Sequence, residues 1–189
     1  MAGSHREPDP DPGRAIVFYG SSSIRLWPDL AADLGDPRIV NLGFGGSTLA
    51  DCVHYFERLV VPHRPGSVVL YAGENDLGQG RSPPEVLASF RDLTRKLDAH
   101  LGPIRLAFLS IKPSPARWPL TDAIRATNDL IRQELTSRPN TLYLDLFGPM
   151  LGPDGRPRAE FYAVDGLHLS AGGYRLWAGI ILSDRGSSF

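Results

Sequence analysis

Five short apolar runs, separated by stretches of helical period, constrain this sequence more than any other feature in it. Residues 15–19, 38–41, 67–72, 104–110 and 141–146 each read as a buried strand. Strands that are apolar on both faces belong to a parallel sheet, and parallel neighbours need a crossover connection, usually a helix. The intervening segments supply it. Residues 84–101 place Val86, Leu87, Phe90, Leu93, Leu97 and Leu101 mostly three or four apart, and residues 122–135 do the same with Ile124, Thr127, Leu130, Ile131 and Leu135. Shorter helices are expected over 22–34 and 48–59, and Ser170 is placed to cap a last helix reaching about Leu182. The predicted fold is α/β: a three-layer α/β/α sandwich around a five-stranded parallel sheet, with the flavodoxin-like strand order 2-1-3-4-5.

A chain of 189 residues can bury roughly 70% of its unfolded surface, enough for one core without staples. Residues 1–14, with Pro8, Pro10, Pro12 and Gly3-Ser4-His5, read as a disordered leader or in part a cloning remnant, which leaves 15–189 as the domain. The net charge of -1 offers no basic stripe, so neither nucleic acid nor an anionic membrane is an expected partner. Small neutral substrates fit better. No apolar run approaches the ~20 residues of a membrane span, and the N-terminus lacks the apolar core of a signal peptide; the expected compartment is cytoplasmic rather than secreted. Cys52 is the only cysteine and reads as a small buried hydrophobe.

In sheets of this kind ligands bind beyond the carboxyl ends of the strands. Four glycine- or serine-bearing segments fall there. Gly20-Ser21-Ser22-Ser23 follows the first strand, Gly43-Phe44-Gly45-Gly46 the second and Gly73-Glu74-Asn75-Asp76 the third, while Asp165-Gly166-Leu167-His168 follows the fifth after a long loop over 147–164. A serine hydroxyl becomes a useful nucleophile when a base takes its proton, and that base must be held in one tautomer by a third group. Ser22, His168 and Asp165 fill those roles. The Ser22 amide at a helix start, the Gly46 amide and the Asn75 side chain can together receive negative charge on a substrate oxygen. Taken singly, each segment reads as an ordinary cap or turn. Their order along one sheet edge is what points to chemistry.

These blocks resemble those of the SGNH hydrolases, the superfamily of GDSL-type esterases and lipases, from Ala15 onward. The resemblance implies Ser22 as nucleophile, the Ser22 and Gly46 amides with the Asn75 side chain as oxyanion hole, His168 as general base and then acid, and Asp165 as its orienter. It also implies a cofactor-free enzyme. Ser21 stands where the family has aspartate, which predicts altered loop positioning rather than lost chemistry, and Ser47 departs from many relatives in the same way. Residues 110–118 resemble the loop after strand four in bacterial members, which would set Arg117 and Trp118 at the border of the pocket to contact an acyl or alcohol group.

Other templates fit poorly. The serine block lacks the second glycine of G-x-S-x-G, the glycine block lacks the spacing of a dinucleotide fingerprint, and no P-loop lysine is present. His5, His54, His63 and His100 have no metal-ligand spacing, so no metal is expected. The sequence therefore reads as a serine esterase for short acyl, acetyl-type esters working through an acyl-enzyme on Ser22. The alternative is a non-catalytic carbohydrate- or ligand-binding domain on the same fold.

Overall fold

The computed structural model describes residues 13–188, without the side chains of 185–188. Strands β1 (Ile16–Gly20), β2 (Ile39–Gly43), β3 (Ser67–Tyr71), β4 (Arg105–Leu109) and β5 (Thr141–Leu144) form one sheet in the order β2-β1-β3-β4-β5. Every pairing is parallel. Alternate residues of each strand enter opposite layers of core, as the two-residue period requires. Val17, Tyr19, Val68, Leu70, Leu106 and Phe108 face helices α3 (Leu49–Leu59), α5 (Pro83–Leu101) and α6 (Thr121–Thr136). Ile16, Phe18, Val69, Tyr71, Ala107 and Leu109 face the short helices α1 (Ser22–Arg25) and α2 (Leu30–Asp33) and the last helix. The predicted three layers and strand order are those observed.

Helix starts follow their caps. Thr48 and Asp51 form a reciprocal capping box on α3, Ser82 and Glu85 form another on α5, and the Ser170 hydroxyl accepts from the Gly173 amide at 3.2 Å. Three expectations need adjustment. The helix expected over 22–34 is two four-residue helices, because Pro28 has no amide to donate and Trp27 turns inward to donate from its indole to Asp33 at 2.7 Å. The last helix, α7 (Ala171–Ser188), runs past Leu182. A further short helix, α4 (Glu74–Gly78), follows β3.

The leader read over 1–14 lies outside the described residues apart from Gly13 and Arg14. Arg14 donates from Nε to the Arg64 carbonyl at 2.8 Å, so packing begins at least one residue before the boundary read at 15. Among the described residues no helix is long and apolar enough to cross a membrane.

Candidate active site

At the end of β1 the chain must turn within contact of β3. Gly20 has a φ of 132°, and a Cβ there would lie 1.9 Å from the Tyr71 carbonyl oxygen. That approach lets the Ser21 amide donate to the same oxygen at 2.9 Å. Ser22 then opens α1, where helix geometry leaves its amide without an intrahelical acceptor. Ser21 and Ser23 are buried, whereas Ser22 is partly exposed. From β2, the Asn41 side chain donates to the Ile24 carbonyl at 2.8 Å, and a Cβ on Gly43 would lie 2.2 Å from the Arg25 nitrogen. The serine turn is thus clamped between its two neighbouring strands.

Past β2, Gly46 adopts a φ of 72° and has open space where a side chain would be. Asn75, in α4, reaches this loop: its Nδ2 donates to the Ser47 carbonyl at 3.0 Å. A carboxamide nitrogen carries two N–H groups, so one remains for a further acceptor. Asp76 braces the same loop from beneath, accepting from the Leu49 amide at 2.9 Å. Its other oxygen is buried without a hydrogen bond, 3.9 Å from Arg81, and burial raises this carboxyl above the ordinary carboxylate range.

The fourth segment is a tight turn organised by Asp165. One carboxylate oxygen accepts from the Leu167 and His168 amides at 2.9 Å, and the other lies 2.5 Å from His168 Nδ1. The bond to the imidazole, then those from the two amides, hold the Asp165 carboxyl below the ordinary carboxylate range. With Nδ1 so engaged, Nε2 is the free basic position of the ring. The turn docks on the loop after β4, where the Ala116 amide donates to the Gly166 carbonyl at 3.0 Å. Tyr174 of α7 ties the same region to the serine turn by donating to the Ser23 carbonyl at 3.1 Å. Among the described residues no hydrogen bond joins the Ser22 hydroxyl to His168; such bonds are often long before substrate arrives.

The sequence profile of the GDSL-like lipase/acylhydrolase family matches residues 13–176. The chain belongs to that family. Platelet-activating factor acetylhydrolase IB subunit alpha1 of Bos taurus is 27% identical over 168 residues, which cover 84% of this chain and 69% of that protein. A GDSL-like lipase from Bacteroides thetaiotaomicron superposes with a TM-score of 0.74 at 20% identity, covering 90% of this chain and 86% of that one. An acetylxylan esterase from Geobacillus stearothermophilus, solved as a catalytic mutant, gives 0.73 at 18% identity, with 93% and 95% covered. At such identities the structural likeness shows the fold, while the family match makes the chain a carboxylic ester hydrolase of the GDSL type.

Beneath the site this GDSL hydrolase holds an ion pair that sequence reasoning missed. Lys112 Nζ contacts Glu74 and donates to Ser114 Oγ at 2.9 Å, Ser114 donates to the second oxygen of Glu74, and Tyr71 donates to Glu74 at 3.2 Å. All four residues are buried. Tyr162, just before the Asp165 turn, donates to the Pro113 carbonyl in the same loop. The cluster therefore joins the helix bearing Asn75 to the loop on which the His168 turn rests. A lysine in an otherwise uncharged strand-end segment, Ser110-Ile111-Lys112-Pro113-Ser114, was the available signal.

Arg117 and Trp118 lie in a 3-10 turn, Pro115–Leu120, beside these elements. Arg117 packs on Gly78 of α4, and the Arg156 guanidinium stands 5.2 Å from the centre of the Trp118 ring. Cys52 is fully buried and its thiol is pushed up by burial, the environment of an inert side chain. Among the described residues no group of three or more His, Cys, Asp or Glu side chains is placed to hold a metal ion.

Proposed function

We infer that this hydrolase cleaves short acyl, acetyl-type esters through an acyl-enzyme on Ser22. The observation that carries the reading is the Asp165–His168 contact of 2.5 Å, which fixes an imidazole with Nε2 free at the same sheet edge as Ser22 and Asn75. Ser22 Oγ attacks the ester carbonyl as its proton passes to His168, and the charge of the imidazolium is balanced by Asp165. The developing oxyanion takes hydrogen bonds from the Ser22 and Gly46 amides and from the second N–H of Asn75. His168 then protonates the departing alcohol, activates water, and the acyl group leaves as the acid. Arg117 and Trp118 border the crevice and contact the acyl or alcohol group.

The acetyl preference draws support from relatives named as an acetylhydrolase and an acetylxylan esterase. The choice of Ser22 over its neighbours draws support from burial of the other two hydroxyls. A fluorophosphonate probe tests the assignment directly. Peptide mapping should find the label on Ser22, and Ser22→Ala should abolish it while Ser21→Ala and Ser23→Ala retain it. Label on Ser21 or Ser23 in the unsubstituted protein overturns the mechanism. A series of p-nitrophenyl esters of increasing acyl length tests the substrate class, with kcat/KM expected to be highest at acetyl.

A further inference from the structure

Two guanidinium groups lie against glycines in segments that carry site residues. Arg25 stands one helical turn after Ser22 on α1, and a Cβ on Gly45 would lie 3.2 Å from its Nε and 3.5 Å from its Nη2. Gly45 immediately precedes Gly46. Arg117 lies across Gly78, one turn after Asn75 on α4, where a Cβ would fall 1.4 Å from Nη1. Neither glycine has a left-handed backbone, and at both positions an arginine head occupies the space a side chain would take. Arg117 also follows Ala116, whose amide holds the Gly166 carbonyl in the Asp165–His168 turn.

What these heads lack is an acid. Some arginines of this protein meet a carboxylate, as Arg38 does with Asp36, Arg91 with Glu134 and Arg138 with Asp98, while others, Arg58 and Arg105 among them, form no ion pair among the described residues. Among the described residues neither Arg25 nor Arg117 forms an ion pair or a side-chain hydrogen bond, although each is packed against an element that carries a site residue. A planar guanidinium presents several N–H donors in a fork that matches carboxylate and phosphate oxygens. Two such forks, one on the helix that Ser22 opens and one against the helix that carries Asn75, neither meeting an acid within the described residues, are arranged for an anion that arrives with the ester.

We propose that Arg25 and Arg117 recognise an anionic oxygen group, carboxylate or phosphate, carried by the ester substrate. The proposal rests on Ser22 being the reacting serine and deepens that reading by naming the substrate class. Its test compares matched esters that differ in one charge. In the alcohol arm these are 3-acetoxybenzoate and its methyl ester, and in the acyl arm they are monophenyl succinate and phenyl methyl succinate. The readout is the ratio of kcat/KM for the charged ester to that for its neutral partner, which does not depend on the fraction of protein folded.

At low ionic strength the ratio should reach about 10 or more in one arm, the scale of a single charge-assisted hydrogen bond. That arm tells whether the anion rides on the acyl or the alcohol side. The ratio should fall towards 1 in the double variant Arg25→Gln/Arg117→Gln, and fall with added salt in the unsubstituted enzyme. A ratio of 1 or less in both arms overturns the proposal, as does a ratio that survives the double substitution. Neutral esters separate the two readings: their Ser22-dependent turnover upholds the hydrolase mechanism even where the charge preference fails, and its absence refutes both.

Discussion

Lys112→Met should be among the most damaging single substitutions available in this protein, and its cost can be worked from the surroundings of Glu74. The two side chains are 1% and 7% exposed, so water cannot replace the ammonium when it is removed. Glu74 would keep only the hydroxyls of Ser114 and Tyr71, which are neutral donors. Stranding one member of a buried ion pair costs about 3–5 kcal/mol. For a domain of this size each 1 kcal/mol moves Tm by about 2–4 °C, so the expected loss is about 6–20 °C. Removing both charges should cost less than removing one, because the desolvation penalty disappears with the pair. Glu74→Gln/Lys112→Met should therefore melt well above Lys112→Met alone. Thermal unfolding of the two singles and the double forms a complete cycle, and kcat measured on the same samples reads the coupling to Asn75 next in the chain. A Lys112→Met protein within about 2 °C of the parent, or losses that simply add, would refute the argument.

Asn75→Ala should lower kcat by about 100-fold or more with KM little changed, the pattern of losing a donor that acts on the oxyanion; near-normal kcat in a folded variant would remove that role. Asp165 has a carboxyl held below the ordinary range, so whatever stability it contributes is present above that range and lost as pH falls beneath it. It stays ionised in mild acid; Asp165→Asn should cut kcat strongly, by up to ~10⁴-fold, without unfolding the protein, and full kcat in a folded variant would remove its role. Asp76 has the opposite sign. Its carboxyl is raised, so its stabilising contribution is full below the ordinary value of 3.8 and lost as pH rises through the folded-state value. The Tm of Asp76→Asn relative to the parent should accordingly improve between about pH 4 and 7, and a difference that stays constant across that range would refute the assignment.

The sheet was legible because each strand carries apolar residues on both faces, and only a parallel sheet covered on both sides buries them all. Ser22, Asn75 and the Asp165–His168 turn were legible for a related reason: each follows a strand, and strand ends in such a sheet converge. Side-chain partnerships between distant segments were not. Nothing in the local sequence of Glu74 says that its charge is met by Lys112, 38 residues on. The same holds for the arginine seats on Gly45 and Gly78, which look like ordinary turn glycines until the fold lays a guanidinium across them. The break at Pro28 was visible in the sequence, yet the apolar period on either side of it outweighed the missing amide in the reading over 22–34.

Ser21, just before Ser22, shows what that position does in this chain. The family pattern has an aspartate there, but in this chain the residue acts through its backbone: the amide donates to the Tyr71 carbonyl and the carbonyl accepts from the Ile24 and Arg25 amides. Its hydroxyl makes no capping bond and the side chain is 3% exposed. A small neutral side chain satisfies such a site without the cost of burying a charge. The positioning that a carboxylate could supply comes instead from β2, through the Asn41 side chain on the Ile24 carbonyl and the contact of Gly43 with the Arg25 backbone. The turn that presents Ser22 is therefore fixed by strand ends on both sides.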